Sequence, residues 1–66
     1  MQAVVNGQTR PIDEGQTLGT LLQALGLDPG QVVVEHNGHI VEKHEILTTH
    51  IETGDQIEIV RLVGGG

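Results

Sequence analysis

The residues best suited to covalent chemistry stand at the end of the chain, where Val63 is followed by Gly64, Gly65 and Gly66. Chance alone gives a Gly-Gly-Gly end to only about a few per ten thousand chains, so the run calls for an explanation. Glycine has no Cβ, and such a run adopts almost any φ and ψ and threads a slot too narrow for side chains. At roughly 3.3 to 3.6 Å per extended residue, the stretch from Val63 carries a carboxylate on the order of 13 Å beyond the last strand. An active site inside another protein lies within that reach. A terminal carboxylate, with a pKa of about 3.5, is ionised at neutrality, yet as an acyl group it is inert until activated. The activation has to come from a partner, and residues 63–66 are expected to form a flexible tail on a domain of residues 1–62.

The other residues with acid–base or metal potential are the four histidines, His36, His39, His44 and His50. His36 and His39 flank Asn37-Gly38 closely enough to share a site. Two histidines without cysteine or a convincing carboxylate cluster do not make a metal centre, and exposed loop and strand positions account for them. No metal site is assigned. The chain has no cysteine, hence no thiol nucleophile and no disulfide, and no Phe, Tyr or Trp to stack on bases. Only Arg10, Lys43 and Arg61 oppose nine acidic residues, for a formal charge of -6, which repels phosphate backbones and favours a basic protein partner. Nucleic acid binding is excluded on both counts. A 66-residue domain has little room for a cleft, so no intrinsic catalysis is expected. The apolar runs fall far short of the roughly 20 residues that span a bilayer, and no leader pattern opens the sequence. The expectation is a cytoplasmic protein, monomeric when free.

The elements that must position the tail are legible in turns. Val4 and Val5 run into Asn6-Gly7, which supplies the positive φ values of a two-residue hairpin turn, and Gln8 to Ile12 returns as a strand that Pro11 consigns to the sheet margin. From Thr17 the spacing changes. Leu18, Leu21, Leu22 and Leu25 share one helical face; Thr17 is a plausible N-cap and Gly26 a left-handed stop, with Leu27 folding back toward Leu22. The predicted helix is about nine residues long and must lean on the sheet. Asp28-Pro29-Gly30 is a turn, and Val32 to Val34 begin a strand that reaches Asn37-Gly38 and pairs back through Ile40 and Val41. In residues 42–52, Ile46, Leu47 and Ile51 are expected to anchor a loop or short helical turn, with His44 and His50 outside. Thr53-Gly54-Asp55 turns the chain into a final strand, Gln56 to Leu62. Packing the Leu stripe against Val4, Val34, Ile57 and Ile59 gives an α+β fold of the β-grasp (ubiquitin-like) type: a mixed sheet of four to five strands crossed by one main helix. Alternation along the last strand then places Val60 and Leu62 on the opposite sheet face, a docking patch beside the tail.

With that order in place, the sequence resembles the ThiS family of ubiquitin-like sulfur carriers across essentially its whole length. The resemblance rests on Val5-Asn6-Gly7, Thr17-Leu18, Leu21-Leu22, Leu25-Gly26-Leu27 and the stretch from Glu35 to Val41. It rests above all on Gly54-Asp55-Gln56-Ile57-Glu58-Ile59-Val60 followed by Val63-Gly64-Gly65-Gly66. The missing aromatics and the Ile46-Leu47 pair depart from the family pattern. The resemblance implies that a ThiF-like enzyme adenylates the Gly66 carboxylate with ATP and Mg, and that a persulfide donor protein converts it to a thiocarboxylate. A ThiG-like thiazole synthase would accept that sulfur. Gly64 and Gly65 would provide fit and reach, and no cofactor would be resident. The alternatives are a carrier like the small subunit of molybdopterin synthase, a protein modifier joined to lysines through Gly66, and a noncovalent β-grasp interaction module.

Overall fold

The computed structural model describes residues 1–62. The chain orders as β1 (Gln2–Val5), β2 (Gln8–Pro11), α1 (Leu18–Ala24), β3 (Val32–His36), β4 (His39–Val41), α2 (Lys43–Ile46) and β5 (Gln56–Arg61). The five strands form one sheet in the order β2-β1-β5-β3-β4. β1 and β5 run parallel, and the other neighbours are antiparallel. This mixed sheet with one main helix is the β-grasp fold. Its last strand in sequence lies at its centre, inserted between two hairpins.

Both hairpins turn on Asn-Gly. Asn6 and Gly7 have φ of 50° and 79°, and Asn37 and Gly38 have 52° and 86°, the paired positive values of a type I′ turn. β2, which carries Pro11, is an edge strand, where a missing N–H costs no ladder bond.

α1 spans Leu18–Ala24 and, with its caps Thr17 and Leu25, covers the stretch that the leucine spacing predicts; both ends are closed by local hydrogen bonds. At the start, Thr17 Oγ1 accepts from the N–H of Thr20, and Thr20 Oγ1 accepts from the N–H of Thr17. At the end, the N–H of Leu27 donates to Leu22 and that of Gly26 to Gln23, a Schellman motif with Gly26 at φ 73°.

The core consists of Ala3, Val5, Ile12, Leu18, Leu21, Leu22, Val32, Val34, Ile46, Ile51, Ile57 and Ile59, with Leu25 and Leu27 packed against it. Two assignments are corrected. Val4 does not face the helix: Ala3 and Val5 do, so alternation turns Val4 to the other side of the sheet. Leu47 is 66% exposed rather than an anchor, while Ile46 and Ile51 are buried as expected. Leu47 instead lies over Gly19, where an added Cβ would meet Leu47 Cδ2 at 2.7 Å. The turn expected at Asp28-Pro29-Gly30 is a single 3-10 turn, Pro29–Gln31, capped by Asp28, whose Oδ1 accepts from the N–H of Gly30. Lys43 ties that turn to α2 by donating to the carbonyls of Pro29 and Val32.

Candidate functional site

β5 is the element that leads to the glycine run, and both sides of it are bonded. On one side it pairs with β3 from His36↔Ile57 to Val32↔Arg61, and the N–H of Leu62 still donates to the carbonyl of Gln31. On the other, β1 pairs with Gln56 and Ile57 only. Asn6 takes over where that ladder stops. Its backbone N–H donates to Ile57, its Oδ1 accepts from the N–H of Ile59 at 2.7 Å, and its Nδ2 donates to the Ile59 carbonyl at 3.3 Å. The side-chain amide therefore acts as one further strand residue.

Asn37 does the same at the other end of β5. Its N–H donates to the carbonyl of Gln56 and its Oδ1 accepts from the N–H of Gln56 at 2.8 Å. Each Asn-Gly turn thus makes a hairpin and also clips the central strand. Asn-Gly predicts the turn; the clip depends on where β5 inserts, which spacing alone does not show.

Behind Asn37 lies a polar cluster that the sequence reading missed. Asp55, the single buried charged residue among those described, at 8% exposure, accepts from the N–H of Glu52 (2.8 Å), Nδ2 of Asn37 (3.1 Å) and Nε2 of His36 (2.6 Å). Burial alone works against ionisation of Asp55, but the Glu52 N–H and then His36 and Asn37 outweigh it and hold the carboxyl below its ordinary value. His36 is accordingly half-buried and paired, not an exposed strand histidine. Among the described residues no nucleophile bonds this imidazole, so the pair fixes the loop ahead of β5 rather than activating a group.

The remaining histidines are exposed. His44 lies 3.6 Å from Glu42, and with Glu45 they bring three ligand-type atoms within 4.8 Å of one another on the surface. His39 is the cross-strand partner of His36.

Of the residues proposed for function, Val60 and Leu62 are 58% and 53% exposed on the sheet face away from α1. Ile40, at 71%, joins them on that face and was not anticipated, since a short edge strand conceals which way its middle residue points. Val63, Gly64, Gly65 and Gly66, with the expectation of a flexible tail, lie outside the described residues. Between β4 and α2 runs a groove of about 460 Å³ in which Val33, Ile40 and Lys43 take part. Among the described residues no helix is long and apolar enough to cross a membrane.

The fold and the site define a ubiquitin-like β-grasp domain whose central strand precedes a glycine run in sequence and whose open sheet face carries Ile40, Val60 and Leu62. The ThiS family model matches residues 3–66, and the chain belongs to the ThiS family. The crystal structure of the thiamine biosynthesis protein ThiS from Geobacter metallireducens superposes with a TM-score of 0.83 at 33% identity, each chain covering 100% of the other. The solution structure of a thiamine biosynthesis protein from the same organism gives 0.80 at 33% identity, over all of this chain and 88% of that one. A thiazole synthase of Paramagnetospirillum magneticum is 39% identical over the 66 residues, and one of Magnetococcus marinus 36%. This chain spans about a fifth of the length of those two curated relatives.

Proposed function

We propose that this protein is a sulfur carrier of thiamine biosynthesis, without catalysis of its own, in which the carboxylate of Gly66 is the cargo site. The observation that carries the reading is the bonding of β5 on both flanks, which makes a rigid stem leading to residues with no side chains to obstruct a channel. Membership of the ThiS family and the likeness to thiamine biosynthesis proteins support it.

In this reading a ThiF-like adenylating enzyme supplies ATP and Mg. A carboxylate oxygen of Gly66 bonds to the α-phosphorus and pyrophosphate leaves. The terminal sulfur of a persulfide donor then displaces AMP from the acyl carbon. Reduction of the donor's sulfur–sulfur bond by a thiol leaves a thiocarboxylate. Its sulfur passes to thiazole formation on a ThiG-like synthase, a partner supported by the similarity to thiazole synthases. Val60 and Leu62 provide the apolar contact that seats the activating enzyme beside the tail.

Incubation with the cognate adenylating enzyme, ATP, Mg and a persulfide donor should give an intact mass heavier by the difference between one sulfur and one oxygen. Deleting Gly66 draws the carboxylate back by about 3.5 Å, beyond the tolerance of in-line attack, so turnover collapses while binding survives. Gly65→Val should fail because a β-branched side chain is stiff and jams the channel. Full thiolation of the Gly66 deletion would show that Gly66 is not the reactive position.

A further inference from the structure

The open sheet face holds a charge arrangement that the free domain does not resolve. Glu35 and Glu58 are direct partners in the antiparallel β3–β5 ladder. Their neighbours Val34, Ile57 and Ile59 are core residues, so alternation turns both carboxylates away from α1. Directly opposed residues in such a pair have Cβ atoms about 4.5 to 5.5 Å apart, and like charges there repel. Neither carboxylate belongs to an ion pair among the described residues. The two arginines in the strands, Arg10 and Arg61, occupy the opposite parity, across from Ala3 and Val32.

The apolar residues of this face bracket the acidic pair. Ile40 is the cross-strand partner of Glu35 on the far side, and Val60 follows Glu58 along β5 with Val33 opposite. A protein laid over Ile40, Val60 and Leu62 would exclude water from the two carboxylates and make their repulsion worse unless it brought a cation. A planar guanidinium suits the gap, because its fork of N–H donors can serve two carboxylates at once, which a point-like ammonium does less well. A second copy of this chain would bring like charge to like charge, and an anionic membrane surface would be repelled.

We propose that Glu35 and Glu58 form the receptor for one arginine of the adenylating enzyme, with Ile40, Val60 and Leu62 as its apolar surround. The identity of that partner rests on the carrier reading. β5 connects the two sites: at about 3.3 Å per residue, Gly66 can lie no more than roughly 27 Å from Glu58, so an enzyme seated on the pair also reaches the tail. The repulsion within the free domain is thus a stability cost kept for docking.

The test combines melting curves with ATP-dependent pyrophosphate release by the cognate ThiF-like enzyme, using the full chain and its Glu35→Gln, Glu58→Gln and Glu58→Lys variants. Each glutamine variant should melt about 1 to 4 °C higher at low ionic strength, a gain that shrinks as salt is added. Each should raise KM for the carrier about tenfold, the loss falling on KM rather than kcat. Glu58→Lys, free to pair with Glu35 internally, should melt highest and bind weakest. Glutamine variants that are adenylated with wild-type KM, or that melt lower than wild type, overturn the arginine receptor while leaving the carrier reading intact. Stabilisation of the wild type by Mg alone, with KM unaltered in the variants, would mark the pair as a cation site and overturn it too. A wild-type chain that the enzyme does not adenylate sinks both the carrier reading and this partner.

Discussion

On the side of β5 that meets α1, Ile57 and Ile59 are enclosed, at 0% and 9% exposure, whereas on the other side Val60 is 58% exposed and Glu58 is open to solvent. One strand therefore serves two purposes, with its side-chain alternation as the divide. The enclosed face sets stability. The open face is free to change without unfolding the domain, and so can be shaped for a partner. A small domain whose net stability is of order 3 to 10 kcal/mol cannot lose much from the first face, but it can carry an acidic pair and three apolar side chains on the second.

The sharpest way to break the comparison is to cut into the enclosed face. Ile57→Ala should cost about 3 to 4 kcal/mol, enough to leave a large unfolded fraction at 37 °C, and Ile57→Val about 1 kcal/mol, read from urea titrations. If Ile57→Ala were tolerated as well as a surface change, the enclosed face would not be the source of stability.

A smaller loss, about 1 to 2 kcal/mol, is expected for Asp55→Asn. The amide cannot accept at both oxygens from the Glu52 N–H, Asn37 and His36. The same carboxylate makes a pH prediction. Its folded pKa lies below its ordinary value of 3.8, so its stabilisation is fully present above that value and is lost as pH falls through the lower, folded one. Wild-type thermal midpoints should fall more steeply than those of Asp55→Asn on acidification below about pH 4. Parallel acid arms would remove Asp55 from the account.

Asn6→Ala removes the side-chain clip on Ile59 and also a residue tolerant of positive φ, for a cost of about 1 to 2 kcal/mol. Asn6→Gly separates the two effects by keeping the backbone conformation accessible. Hydrogen exchange at the Ile59 amide should quicken in both variants.

The smallest stability effect belongs to the open face. Leu62→Asp should shift the thermal midpoint by no more than about 2 °C while weakening binding of the adenylating enzyme at least tenfold. A large loss of stability with intact binding would make Leu62 a core residue and erase the distinction between the faces.

Local chemistry in the sequence determined much of this protein. Asn-Gly specified both hairpins because few other dipeptides tolerate two positive φ values. The spacing of Leu18, Leu21 and Leu22, with Thr17 and Gly26 at the ends, specified α1, and the alternation around Ile57 and Ile59 told the faces of β5 apart. The glycine run, which lies outside the described residues, is the source of the carrier proposal that the thiolation assay tests.

The tertiary structure alone decided what depends on contacts distant in sequence. Whether Val4 or its neighbours Ala3 and Val5 faced the core was a matter of register, which a run of three apolar residues leaves open. Leu47 and Ile46 are both large and aliphatic, and only the packing of α2 against Gly19 and the core separates them. The clips of Asn6 and Asn37, the burial of Asp55 beside His36, and the pairing of Glu35 with Glu58 all arise because β5 enters between two hairpins formed far upstream. A ladder register is a relation between segments and is not written in either one.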